Sequence, residues 1–289
     1  MSENVIAIVG PGAVGALIAA LLDRAGSEII AVARPATARA INAEGLTIHS
    51  QLFGDGVSHI HAQSDIPAGA RIIVATKSFA IPEIAAAIGA AHPVEVISFL
   101  NGIEHMDALR VNAPGVPVTG ASIAVEVARS SPTVIEHRSP FLRITVAAAA
   151  ADYGIVGDLR RAGLSVTVGG SESEVLWTKL RFLAPMALLT SYWHQAIGEA
   201  LQHDRGLTSR LLAEVAAIAT ADGVPTTTDQ LFSVLTGFPP AMRSSLQADL
   251  AAGNVSELDA IGGALIRRGQ SHGIATSTLD QIVDELATR

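Results

Sequence analysis

Val5-Ile6-Ala7-Ile8-Val9-Gly10-Pro11-Gly12-Ala13-Val14-Gly15 decides the fold: a short apolar run, three glycines in G-x-G-x-x-G spacing, then alanine- and leucine-rich sequence to Ala25. An apolar run of five residues closed by a turn signal reads as a buried strand, and Ala13–Ala25 reads as a helix. Strand, glycine loop and helix in this order are the fingerprint for gripping a dinucleotide. Gly10 makes the tight turn, Gly12 lets backbone approach a pyrophosphate with no Cβ in the way, and Gly15 permits close packing of helix on strand. Ala13 and Val14 open the helix, whose N-terminus offers positive potential to an anion.

Outward from this loop, β-rich runs alternate with helical ones. Ile29–Ala33, Leu46–His49, Ile72–Ala75 and Val94–Phe99 read as strands, and Thr37–Glu44 and Ala80–Ala90 as helices. Strands that are continuously apolar, with helices between them, mark a parallel sheet covered on both faces. Pro132–Val146 and Leu164–Val168 read as strands closing that sheet, and Gly169–Gly170 as a joint. From Ser171 onward the pattern is helical. Ser171 and Glu174 fit a capping box, and Pro185 is expected to kink or perturb the helix they start. Further helices are expected over Leu207–Asp222, Thr228–Leu235, Ala241–Ala252, Glu257–Ser271 and Ser277–Thr288, each bounded by Gly, Pro, Ser or Thr. The fold class is therefore an α/β Rossmann domain over residues 1–170 followed by an all-α domain over residues 171–289.

Composition agrees with two domains and narrows the function. The chain has 289 residues, 49% of them hydrophobic, which is ample for two cores. No uninterrupted apolar stretch approaches the roughly 20 residues of a membrane span, and MSENVIAIVG lacks the basic region of a secretory signal. A cytoplasmic protein is expected. There is no cysteine, so neither thiolate nucleophiles nor disulfides enter, and redox chemistry has to come from a bound cofactor. A formal net charge of −8, without a basic cluster, points away from nucleic acid and toward a small molecule. The nine histidines show no paired ligand spacing, so no metal is assigned; His59 and His61 alternate along one face of a strand.

Two details of charge bear on the chemistry. After the second strand run the sequence reads Ala31-Val32-Ala33-Arg34, with an arginine where NAD enzymes place a ribose-binding acid. A guanidinium there suits the 2′-phosphate of NADP, with Thr37 and Arg39 near in sequence. Of 19 basic residues 17 are arginine, and only Lys77 and Lys179 are lysine. A position that keeps lysine in such a chain is a candidate for proton exchange, which arginine cannot perform.

Further motifs lie in order along the chain: Ala75-Thr76-Lys77, Leu100-Asn101-Gly102-Ile103-Glu104, Trp177-Thr178-Lys179-Leu180, Ser244-Ser245-Leu246-Gln247-Ala248-Asp249-Leu250 and Ser256-Glu257-Leu258-Asp259. With the glycine loop they resemble the ketopantoate reductase (2-dehydropantoate 2-reductase) family over nearly the whole chain. The resemblance implies NADPH-dependent reduction of 2-dehydropantoate to pantoate, a step of pantothenate biosynthesis. It also implies a helical domain of the 6-phosphogluconate dehydrogenase C-terminal type. By the same resemblance Lys179 is the general acid and Glu257 the carboxylate beside it. Ser245 and Asn101 would bind the substrate, with Lys77 and Asn101 also reaching the cofactor. Bland alternatives exist for each: Lys179 as a surface lysine, Glu257 as a first-turn acid behind an Asn254 or Ser256 cap, Ser245 as a polar helix residue, Asn101-Gly102 as a turn.

The chain departs from the family pattern at Leu183, Ile197 and Met242, apolar where the family usually carries asparagine. Tyr192, His194 and Gln195 are the candidates to restore that polarity. Two competing readings follow: a divergent member reducing a more apolar carbonyl substrate, and a non-catalytic NADP-binding protein. Dimerisation through a helical domain of this kind is compatible with either.

Overall fold

The computed structural model describes residues 5–288. Twelve strands and twelve α-helices form among them. In the first part of the chain the strands are β1 (Ile6–Val9), β2 (Ile29–Val32), β3 (Leu46–Ser50), β4 (Gly56–Ser58), β5 (His61–Gln63), β6 (Arg71–Val74), β7 (Val96–Ser98), β8 (Val118–Ala124), β9 (Val127–Ser131), β10 (Val134–His137), β11 (Arg143–Val146) and β12 (Ser165–Val168). The helices among them are α1 (Ala13–Arg24), α2 (Pro35–Glu44), α3 (Ile81–Ala90), α4 (His105–Asn112) and α5 (Gly154–Arg161).

Eight strands make one sheet in the order β12-β11-β8-β7-β6-β1-β2-β5. The six from β8 to β5 run parallel, and β11 and β12 run against them, since β11 pairs antiparallel with β8. All four residues of β1 are buried, as a strand covered on both faces requires. Gly15 explains how closely α1 lies on this sheet: a Cβ there would stand 2.3 Å from the carbonyl oxygen of Gly10.

The run Pro132–Val146 does not go wholly into that sheet. Only its end, β11, does so; β10 belongs to a second, four-stranded sheet, β4-β3-β10-β9, which packs on α1. The reason lies in pairing partners: β10 runs parallel with β3 and antiparallel with β9, a choice made by residues some 87 positions away, as in the Ser50 Oγ to His137 Nδ1 hydrogen bond of 2.8 Å.

The second part is helical: α6 (Glu172–Trp193), α7 (Ile197–His203), α8 (Arg205–Ala221), α9 (Thr228–Thr236), α10 (Ser245–Ala251), α11 (Ala264–Ser271) and α12 (Ser277–Ala287). The capping box forms as read: Ser171 N–H donates to Glu174 Oε2 at 2.6 Å, and Glu174 N–H to Ser171 Oγ at 3.2 Å. The helix continues unbroken through Pro185. Trp177, fully buried, donates to Asp222 at 2.9 Å, and Arg268 and His272 donate to the same carboxylate. That carboxylate fastens α6 to the ends of α8 and α11.

Two expected helices are shorter. In place of Ala241–Ala252, α10 begins at Ser245, because Pro239 and Pro240 shape a turn and the Ser244 hydroxyl caps the helix by accepting from Gln247 N–H at 3.1 Å. In place of one α-helix over Glu257–Ser271, a π-helical turn spans Asp259–Gly263 before α11, with Ala264 N–H reaching back to Asp259 O. Gly262-Gly263 makes regular α geometry least favoured at that point.

By internal packing the chain divides into two compact units, one comprising residues up to Leu100 with His105–Val175, the other Asn101–Glu104 with the residues from Leu176 on. Each has its own apolar core. Among the described residues no helix is long and apolar enough to cross a membrane.

Candidate active site

Within the first unit, the carboxyl ends of three adjacent strands carry the dinucleotide candidates. The glycine loop follows β1, Arg34 follows β2, and Thr76-Lys77 follows β6. Ligands of open α/β sheets bind at this edge. The three glycines differ in what their missing Cβ would meet. At Gly10, with φ +87°, it would lie 2.4 Å from Thr76 Cγ2, and at Gly15 it would strike the Gly10 carbonyl. These two glycines are needed for folding. At Gly12 the Cβ would meet only Ala75 O, at 4.0 Å, so that position fronts open space, the room a pyrophosphate requires.

The start of α1 suits an anion. Its N-cap is Gly12 with no side-chain cap, its first turn has no acid, and the first helical bond runs from Ala16 N–H to Gly12 O. The N–H groups of Ala13, Val14 and Gly15 therefore have no helical acceptor. The Thr76 hydroxyl beside the loop is buried without a partner, as expected of a group awaiting a ligand. Arg34 is exposed at the N-cap of α2, where its carbonyl accepts from Ala38 N–H at 3.0 Å and its side chain has no hydrogen bond or ion pair among the described residues, and Lys77 is exposed beyond β6. The loop and its surroundings thus fit a nicotinamide dinucleotide. One neighbour escaped the sequence reading: Arg129 on β9 donates to Pro11 O at 3.3 Å.

The second unit gathers Asn101, Lys179 and Glu257. Lys179 lies on α6, partly buried, and its side chain makes no hydrogen bond among the described residues. Burial pushes its pKa down to about 8, and the Glu257 carboxylate opposes that shift. Glu257 is only 5% exposed and accepts from Asn101 Nδ2 at 3.2 Å. Its backbone carbonyl accepts from Ile261 N–H at 3.0 Å, so it opens the helical stretch that runs into α11, and Ser256 Oγ accepts from Leu258 N–H at 3.4 Å.

Asn101 is held by its own segment. Gly102, φ +87°, lets the chain pass so close that a Cβ would stand 2.7 Å from Ala260 O. Ile103 packs on the helical core, and Glu104 accepts from Arg267, which also donates to Asp259. Arg267 thereby clamps the Asn101 segment to the turn that follows Glu257. It too was missed in the sequence, where nothing marks it among seventeen arginines.

Ser245 is not joined to this group by any hydrogen bond; it is exposed at the first position of α10, while its neighbour Ser244 is buried and bonded to Thr190 at 2.8 Å. Of the three apolar departures, Ile197 is fully in the helical core, and Leu183 and Met242 pack against it, partly exposed. Leu183 lies one turn beyond Lys179 on the same face of α6. Two of the candidates to replace lost polarity are engaged elsewhere: Tyr192 OH donates to Glu285 at 2.8 Å, and Gln195 Oε1 pairs with His203 at 2.9 Å; at His194 the backbone carbonyl accepts from Arg243 at 3.5 Å.

Comparison with known proteins agrees across the chain. The family model "Ketopantoate reductase PanE/ApbA" matches residues 6–150, and the model of its C-terminal domain matches residues 173–289. A 2-dehydropantoate 2-reductase of Mycobacterium tuberculosis is 26% identical, covering 98% of this chain and 96% of its own. A crystal structure of a PanE/ApbA family ketopantoate reductase from Ralstonia eutropha superposes with a TM-score of 0.89 at 27% identity, covering 98% of this chain and 97% of its own. The fold is shared as well with a D-mandelate dehydrogenase solved with NADH, with a TM-score of 0.86 at 19% identity, covering 98% of each chain.

Proposed function

Since this chain belongs to the ketopantoate reductase family and is an oxidoreductase of that kind, we propose that it reduces a 2-oxo acid to the 2-hydroxy acid with NADPH, 2-dehydropantoate being the first candidate substrate. The observation that carries the reading is the Lys179–Glu257–Asn101 group: an ammonium with pKa about 8, electrostatically coupled to a buried carboxylate that an amide holds in place.

Bound NADPH supplies the hydride. Reduction turns the substrate carbonyl oxygen into an alkoxide, and Lys179 stabilises that charge and donates the proton to it. With pKa about 8 it is largely protonated at neutral pH yet acidic enough to give up the proton and be reloaded. Glu257 keeps the ammonium charged and orients it, Asn101 fixes Glu257, and Ser245 donates to the substrate carboxylate. In the first unit, Gly10 to Gly15 and the opening of α1 would receive the pyrophosphate, Lys77 would reach the ribose or nicotinamide, and Arg34 would take the 2′-phosphate. The preference for NADP rests on Arg34 standing, exposed and unpaired with other described residues, where an acid would select NAD.

A second substrate reading is favoured by Leu183. An apolar, partly exposed side chain one turn from Lys179 suits a 2-oxo acid with an apolar group better than a hydroxylated one, whose hydroxyl would lack a partner. The D-mandelate dehydrogenase of the same fold acts on an aryl acid, so the architecture tolerates such substrates.

Both are tested by NADPH oxidation with 2-dehydropantoate and a panel of apolar 2-oxo acids. Turnover is expected with at least one, falling on the order of 10²- to 10⁴-fold in Lys179→Ala. Arg34→Ala is expected to lower kcat/KM for NADPH about tenfold or more while sparing NADH. Cofactor binding without turnover of any 2-oxo acid would refute the catalytic reading.

A further inference from the structure

The glycine loop has a second cationic neighbour, and it does not come from the strand–loop–helix unit. Arg129 lies on β9 in the four-stranded sheet, and this sheet packs on α1. The side chain reaches the loop, where one guanidinium nitrogen donates to the carbonyl of Pro11, the residue between Gly10 and Gly12, at 3.3 Å. This is its one hydrogen bond among the described residues, so the rest of its five-donor fork is uncommitted.

We propose that Arg129 is a pyrophosphate ligand: the second sheet contributes a guanidinium to the dinucleotide at the glycine loop. The inference rests on the dinucleotide reading above. Three features of the loop converge on it. The open space begins at Gly12, next to the carbonyl that Arg129 grips. The N-terminus of α1 has uncapped N–H groups and no acid in its first turn, so nothing in the first turn of α1 neutralises a cation placed there. The Thr76 hydroxyl, buried without a partner, marks the same rim as built to receive a polar group. A guanidinium is planar and binds phosphate oxygens two at a time, which an ammonium cannot do. Holding the Pro11 carbonyl fixes the side chain before the ligand arrives, so little rotamer freedom is left to lose on binding.

The test is calorimetric titration of the full chain with NADPH, NADH and adenosine 2′-monophosphate, the last having the 2′-phosphate but no pyrophosphate. Wild type, Arg129→Ala, Arg129→Lys and Arg34→Ala are compared. Arg129→Ala is expected to weaken NADPH and NADH equally, by about tenfold or more, and to leave adenosine 2′-monophosphate unchanged; Arg129→Lys recovers part of the loss. Arg34→Ala gives the complementary pattern, weakening NADPH and adenosine 2′-monophosphate but not NADH. Dinucleotide affinities of Arg129→Ala within twofold of wild type overturn the assignment. An equal loss for all three ligands overturns it too, because it reveals a role in shaping the loop rather than in contacting pyrophosphate. Wild-type protein that binds neither dinucleotide overturns the underlying cofactor reading as well, and is distinguished by failing before any substitution is made.

Discussion

Lys179 sits where its charge is costly, and the cost has a sign that can be measured. Its pKa is about 8 in the folded protein against 10.5 for the free side chain, so between those values the unfolded chain binds more protons and stability rises with pH. Below pH 8 the penalty is present in full. Lys179→Met, which keeps the stem and removes the charge, is therefore expected to be more stable than wild type at pH 7, by up to about 3 kcal/mol. The gain should shrink through pH 8 to 10.5 and vanish above, while turnover is lost. Denaturation with urea at several pH values checks this; a variant less stable than wild type at pH 7 would show that the ammonium is a structural asset. Wild-type kcat/KM is expected to fall above about pH 8 as the acid loses its proton. Lys179 and Glu257, which the structure brings together, stand out as candidates in the sequence because lysine is scarce here and the surrounding motifs are distinctive. Arg129 and Arg267 were not. Their partners lie 118 and 163 positions away, and a single arginine among many announces no partner at that range.

Among elements, the segment Asn101–Glu104 ties a sequence motif to the proposed catalytic group. Gly102 does this with two properties at once, a left-handed φ of +87° and a Cα only just clear of the Ala260 carbonyl. An alanine would add the strain of positive φ, roughly 1 kcal/mol, and a contact at 2.7 Å that only movement of the segment relieves. Gly54→Ala is the control, since Gly54 has φ +74° but nothing within 4 Å of the added methyl. Gly102→Ala is expected to lose at least tenfold in kcat/KM, with the Asn101–Glu257 contact displaced, and to melt lower than Gly54→Ala. Equal melting and full activity in the two variants would mean that the segment tolerates displacement. Most elements of the parallel sheet could be read ahead, because a buried parallel strand declares itself as an apolar run between turn signals. The second sheet could not: β3 and β10 are as long as most strands of the parallel sheet, and which sheet they join depends on pairing rather than composition. The π-turn at Asp259–Gly263 was likewise hidden, since its residues keep helical periodicity while changing the bond pattern. The brief α7 also escaped notice, with Gly198 near its start suggesting a loop.

For the molecule as a whole, the order of strands and helices was enough to give two kinds of architecture, an α/β half and a helical half. It was not enough to show that four residues after β7 pack with the helical unit, because that depends on Arg267 and the turn at Ala260. Composition, by contrast, is visible only at this scale, and it gives an unusually clean experiment. Seventeen of nineteen basic residues are arginine, so a small amine-specific reagent such as cyanate meets only two side-chain targets, Lys77 and Lys179. Reaction requires the neutral amine. At pH 7 a lysine with pKa about 8 has roughly a tenth of its molecules neutral, against less than a thousandth for an ordinary lysine near 10.4. That advantage exceeds a hundredfold, and partial burial of Lys179 subtracts from it without cancelling it for a reagent of three heavy atoms. Peptide mapping after cleavage at arginine is expected to show Lys179 carbamylated first, with activity falling in step with its modification rather than with that of Lys77. Preferential labelling of Lys77, with Lys179 untouched while activity declines, would contradict both the lowered pKa and the assignment of the general acid. Modification of Lys179 at full retained activity would spare the pKa and remove Lys179 from the mechanism.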